Sequence, residues 1–284
     1  MASNASQRFT DLFFSRGKIT TGSVTEYYAE VSNNLISLTG EVVGPFRMPR
    51  KMSEYANGAY GRGDATPNSR TMAADALALA NASIDFKPYD NDGNGYVDAF
   101  IVVHAGTGGE QSGNKSDIWS IKSYLPSETA VDGVKVFGFL TIPEDANIGV
   151  CAHELGHLLF EWPDLYDIDS AGDPNNIGVV SEGIGNWCLM AGGTWGFLPG
   201  NAQGTTPCHP SAWCKANQGW VNTIRETENR SLTLRDVKTT REIHRLWSYG
   251  DANSREYFLI ENRQQAGFDR SLPGPGLLSE LIYR

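Results

Sequence analysis

The segment from Gly149 to Phe160 constrains this chain more than any other. It carries His153-Glu154-Leu155-Gly156-His157 inside an otherwise apolar run, with Val150 before the motif and Leu158, Leu159 and Phe160 after it. The composition predicts a buried helix. Residues four apart lie one turn apart on the same helical face, so both imidazoles can reach one zinc ion. Glu154, beside them, is placed to take a proton from an attacking water and pass it to a leaving amine. The alternative is an ordinary helix that spells His-Glu-x-x-His by chance.

The flanks favour the metal. Pro163 cannot extend the helix, so the chain turns there, and Asp164-Leu165-Tyr166-Asp167 follows with carboxylates close by. Asp164 is the candidate third ligand. Glu182 is its main rival, and Glu161 competes only if the helix continues beyond Phe160. Further on, Trp187-Cys188-Leu189-Met190-Ala191-Gly192-Gly193 sets a methionine in a Gly-flanked turn. A methionine beneath the metal marks one group of zinc peptidases, whereas Met190 alone would read as a core residue.

A second cation is suggested by Asp90-Asn91-Asp92-Gly93-Asn94-Gly95-Tyr96-Val97-Asp98. Asp90, Asp92, Asn94 and Asp98 place side-chain oxygens at positions one, three, five and nine of an EF-hand-type loop. Gly95 stands at six, and the Tyr96 carbonyl is offered at seven. Ile101 occupies the twelfth position, where a bidentate glutamate belongs, so the loop is a truncated calcium site. The alternative is a polar hairpin turn.

The rest reads as mixed helix and strand, an α/β or α+β architecture without repeats. Val24–Val31 is an amphipathic turn or two, and Leu35–Val43 alternates like a strand. Residues 50–68 are a Gly/Tyr/Asn/Pro-rich loop that contains Arg62-Gly63-Asp64, a solvated turn on three residues alone. Asn68 and Ser69 offer a cap for a helix through Thr71–Ala80. Phe100–Val103 and Val134–Ile142 are strands, residues 169–185 and 192–209 are loops, and Ser211–Gln218 is a short helix. From Ser231 onward short β-like runs predominate, among them Tyr257–Asn262. His104 ends its strand; in a zinc peptidase it could lie near the cleft, but a strand-end histidine usually has a bland role. No Gly-x-Ser-x-Gly elbow and no dinucleotide fingerprint is present.

The 284 residues suffice for a substantial core. A net charge of −10 argues against nucleic acid or an anionic membrane as partner. No run approaches the apolar length of a membrane span. The first residues lack a signal peptide's apolar region, so the chain is either cytoplasmic or begins after an export signal. Four cysteines and sequons at Asn4, Asn81, Asn114 and Asn229 favour the exported reading.

Taken in order, these pieces resemble the immune inhibitor A family of secreted zinc metallopeptidases, relatives of the metzincins. The matching stretches are Gly22–Tyr28, Asp98–Gly106, His153–His157 with Pro163–Asp167, Trp187–Trp195, His209–Lys215 and Glu261–Gln264. The resemblance implies a metzincin-like catalytic domain with a twisted mixed sheet, a backing helix, the active-site helix and a loop-rich C-terminal part. It implies an N-terminal subdomain of about residues 1–160 and a C-terminal one of about 161–284, within a longer secreted protein. Activity would be hydrolysis of peptide bonds in protein or peptide substrates, by a monomer. Zinc would be held by His153, His157 and Asp164, with Glu154 as general base. The metzincin pattern has a glycine three residues after the second histidine and its third ligand three residues later. Here those places hold Phe160 and Pro163, and Asp164 comes one residue late. Separately from the resemblance, the four cysteines allow three connectivities, of which Cys151–Cys188 with Cys208–Cys214 is the pairing favoured, and four reduced, buried thiols are the alternative. The competing function is a catalytically silent, calcium-stabilised binding module, and a third is a metal-dependent hydrolase of another bond.

Overall fold

The computed structural model describes residues 4–168, 181–247, 250–251 and 253–283. In chain order the helices are α1 (Ala5–Phe14), α2 (Val24–Val31), α3 (Met52–Ala56), α4 (Ser69–Ala80), α5 (Gly109–Ser112), α6 (Ile148–Phe160), α7 (Ala212–Asn217) and α8 (Val237–Thr240). The strands are β1 (Ile101–His104), β2 (Ile121–Val131), β3 (Val134–Pro143), β4 (Asn222–Arg225), β5 (Glu242–Trp247), β6 (Tyr257–Arg263) and β7 (Gly276–Ile282). The chain divides into two compact units, Met1–Val24 with Thr39–Glu161, and Thr25–Leu38 with Trp162–Arg284.

The first unit is built on a mixed sheet in the order β1-β3-β2, with β1 parallel and β2 antiparallel to β3. The β2–β3 register shifts between Tyr124 and Thr129, around Pro126, which lacks the N–H a regular ladder needs. Helix α4 forms where strong helix formers follow a good cap: the Asn68 carboxamide accepts the Thr71 N–H at 3.1 Å. Its Met72, Ala73 and Leu77 belong to one core with Leu125, Val136 and Phe139 of the sheet. Helix α6 lies on β3, and Gly138 makes the approach close: a Cβ there would stand 3.1 Å from Leu158.

The second unit carries a sheet ordered β4-β5-β6-β7, with β4–β5 parallel and the other pairs antiparallel. In β6 the alternate residues Tyr257, Leu259, Glu261 and Arg263 are buried. A charged pair thus occupies register positions that the pleat reserves for the core. Helix α7 is capped twice, by Ser211 and by Glu280 of β7, whose carboxylate accepts the Ala212 and Trp213 N–H groups at 2.8 and 3.1 Å.

Two expectations are corrected. Residues 35–43 form no strand: Asn33 and Asn34 turn the chain through left-handed conformations, Leu35 is 59% exposed, and the segment runs from one unit into the other without a ladder partner. The loop at 50–68 contains the helical turn α3, whose Glu54 carboxylate accepts the Lys51 N–H at 2.9 Å. Helix α1 and strand β2 go beyond the sequence expectation. The expected loop at 169–185 lies outside the described residues up to 180.

Candidate metal centre

Helix α6 is apolar on nearly all sides and buries Val150, Leu155 and Phe160, so its rotation is set by packing. That rotation leaves His153 and His157 half-buried on one face, with ring centroids 4.7 Å apart and rings nearly perpendicular. Their Nε2 atoms stand 3.1 Å apart. Ligand nitrogens of one tetrahedral zinc at ~2.0–2.1 Å each lie roughly 3.3 Å from one another. Glu154 is buried, at 6% exposure.

The helix ends at Glu161, which adopts the left-handed conformation (φ 54°, ψ 28°) and donates its N–H to the Gly156 carbonyl. This is the conformation a glycine usually supplies at a helix C-terminus. The helix thus runs on through Phe160, and Glu161 makes the turn that closes it. Asp164 then offers a carboxylate oxygen that lies with one nitrogen each of His153 and His157 within 4.8 Å of one another. Glu161 and Glu182 are exposed and are not in this group. Two imidazoles and one carboxylate are a donor set that suits zinc with a position left open.

Asp164 sits in a segment pinned on both sides. The Leu165 N–H donates to the Met190 carbonyl at 2.8 Å, and the Leu165 carbonyl accepts the Ile184 N–H at 3.0 Å. Met190 itself is fully buried, in a turn where its N–H donates to Cys188 Sγ at 3.3 Å.

None of the four cysteines is in a disulfide, and all are buried, so the expected pairs Cys151–Cys188 and Cys208–Cys214 are not formed. Cys188 Sγ accepts a second N–H, from Ser211, at 3.2 Å. Burial pushes the Cys151 thiol up to about 12, which removes it as a nucleophile at neutral pH. His104 is buried at the end of β1, where desolvation lowers its pKa and favours the neutral ring; Nδ1 lies 3.0 Å from the Ala105 carbonyl. Arg62 of the Arg-Gly-Asp triplet lies over the Trp119 ring at 5.2 Å.

The second cation loop is a turn of local hydrogen bonds. Asp90, Asp92 and Asp98 each offer an oxygen within 4.8 Å of the others. Asn94 is engaged within the turn: its Nδ2 donates to Asp92 and its Oδ1 accepts the Tyr96 N–H. A strand follows the loop in place of a helix, as Ile101 at the twelfth position leads one to expect.

A constellation without a role in the sequence reading is a buried ion network in the second unit. Arg263, Glu261 and Asp269 are at most 1% exposed, and Lys215 is at 2%. Lys215 pairs with Glu261, Arg263 pairs with Asp269, and His209 Nε2 lies 2.9 Å from Glu30, which also takes Lys238 at 2.8 Å. The signal that could have found it is the pair Glu261 and Arg263 on the buried alternation of β6.

Residues 4–221 match the family described as immune inhibitor A peptidase M6, catalytic domain. Immune inhibitor A of Bacillus thuringiensis subsp. alesti is 32% identical over 213 residues, covering 64% of this chain and 29% of the relative. Pre-pro-metalloprotease PrtV of Vibrio cholerae serotype O1 (strain M66-2) is 29% identical over 259 residues, covering 77% of this chain and 27% of the relative. The chain therefore spans less than a third of the length of these curated relatives.

Proposed function

The chain belongs to the immune inhibitor A peptidase M6 family, whose relatives include a metalloprotease, and from that premise we propose that it is a zinc-dependent endopeptidase cleaving peptide bonds in proteins. The observation that carries this reading is the gathering of His153, His157 and Asp164 within 4.8 Å beside buried Glu154. These three side chains would hold the metal. Zinc bound there would polarise the scissile carbonyl and make water a stronger nucleophile at neutral pH.

The protein's own groups do the remaining work. Glu154 accepts the proton of the attacking water and, as the acid so formed, returns it to the leaving amine. Its burial on α6 keeps the carboxylate away from bulk solvent, where its orientation would be lost. The Met190 carbonyl and the Ile184 N–H fix the Leu165 peptide and, with it, the backbone of Asp164. Free Asp164 would otherwise sample many rotamers and lower the local concentration of ligand.

Calcium is the second cation of this reading, held structurally by Asp90, Asp92 and Asp98 with Asn94 and the Tyr96 carbonyl as further oxygens. Substrates are proteins or peptides, the working form is a monomer, and the site of action is outside the cytoplasm. Among the described residues no helix is long and apolar enough to cross a membrane.

The test is cleavage of casein by the wild type and by Glu154→Ala. Loss of a proton carrier of this kind lowers activity by ~100-fold or more, with metal content retained. Equal cleavage by the two proteins would overturn the role of Glu154.

A further inference from the structure

Arg263 lies at the end of β6, fully buried, and its guanidinium is shared among three segments of the second unit. Nε donates to Asp269 at 2.9 Å, and Nη2 donates to the other oxygen of the same carboxylate. Nη1 donates to the Trp187 carbonyl at 2.5 Å, and Nη2 also reaches the His209 carbonyl at 3.2 Å. The His209 N–H returns to Asp269 at 2.8 Å.

Those carbonyls are not arbitrary. Trp187 opens the turn that ends at Met190, and the Leu189 N–H donates to the same His209 carbonyl at 3.2 Å. The Met190 carbonyl then holds the Leu165 N–H at 2.8 Å, one residue after Asp164. A continuous hydrogen-bonded path thus runs from Arg263 through the methionine turn to the peptide that carries the third metal-ligand candidate. We propose that Arg263, braced by Asp269, is the positioning residue that fixes the Trp187–Met190 turn and, through it, Asp164.

This rests on the zinc reading above. The chemistry calls for arginine in particular: a planar fork can engage a carboxylate on one edge and backbone carbonyls on the other, which a lysine ammonium cannot do at once. The two carbonyls also satisfy guanidinium N–H groups that burial would otherwise leave unpaired, so positioning is separated from stability by reading zinc affinity beside the melting temperature. Groups bonded directly to a metal ligand cost about 10–100-fold in metal affinity when removed; Arg263 acts one turn further away, which places its effect at the lower end of that range.

The test measures zinc affinity by competition with a chromophoric chelator, together with the melting temperature of the metal-free protein. The proteins compared are wild type, Arg263→Lys, Asp269→Asn and His244→Gln. His244 pairs with Glu226 at 2.7 Å in the same unit and makes no bond to the turn, so its variant reports general destabilisation. The expected result is zinc affinity weakened by about 10-fold in Arg263→Lys, with a smaller loss in Asp269→Asn and none in His244→Gln. Should Arg263→Lys fail to fold, Asp269→Asn carries the comparison. Wild-type affinity in a folded Arg263→Lys or, in its absence, a folded Asp269→Asn would overturn this role and leave the zinc reading standing. A wild type that takes up no zinc would overturn both.

Discussion

At the residue scale the most informative position is Glu161. An L-residue in the left-handed region costs roughly 1–2 kcal/mol, and Glu161 bears that cost at the C-terminus of α6. Glu161→Gly removes the strain at the expense of a more flexible unfolded chain, so a net gain of about 0.5–1 kcal/mol is expected. The urea midpoint of the variant should rise, and a lower midpoint would contradict the account. The sequence shows clearly that Asp164 comes one residue late, because spacing is local information. That the helix runs on through Phe160 before it turns is not local information. It depends on α6 packing against β3, with Gly138 leaving room for Leu158.

At the scale of elements, local pattern and structure agree where one short stretch contains the whole cause. Helix α4 has its cap and its helix formers within a dozen residues, and α6 has an apolar run with a stop after it. The strand expected at 35–43 fails because alternation alone supplies no partner strand. Strand β2 is hard to read for the opposite reason: Pro126 and polar exposed residues hide a ladder that β3 enforces. The acidic loop ahead of β1 allows a direct test. Three carboxylates held within 4.8 Å repel one another unless a cation or protons intervene. Millimolar calcium should therefore raise the melting temperature of the wild type, by an amount that grows with the logarithm of concentration. Asp92→Asn should lose most of that increase while its melting temperature without calcium is unchanged or higher. An equal calcium response in both proteins would rule out the loop as the site.

At the scale of the whole molecule, the buried ion network governs how stability depends on pH. Burial alone would raise the Glu30 pKa, but the hydrogen bond and charge of His209, with Lys238 and the Phe268 N–H, hold it at about 2. Asp269 is likewise held far below the ordinary range: burial opposes this, and His209 and Arg263 outweigh it. A carboxylate with a lowered folded-state pKa binds fewer protons folded than unfolded. Its contribution is complete above the unfolded value near 4.5 and is lost as pH falls toward 2. Stability should fall steeply from about pH 4.5 to 2, and Glu30→Gln, already weaker at pH 6, should show a shallower fall. An equal loss of unfolding free energy between pH 6 and pH 3 in the two proteins, read from urea titrations, would contradict this.

This network joins residues as distant as Glu30 and Lys238, or Trp187 and Arg263, so no short window of sequence displays it. The His153–His157 motif is legible from sequence because both histidines and Glu154 share one helical turn. The placing of Asp164 within reach of them depends on the fold. The most direct test is zinc content per chain, by elemental analysis of wild type and Asp164→Asn after identical loading and dialysis. About one zinc is expected in the wild type, and sharply lower occupancy in a variant that remains folded. Full occupancy in Asp164→Asn, or none in the wild type, would contradict the zinc reading.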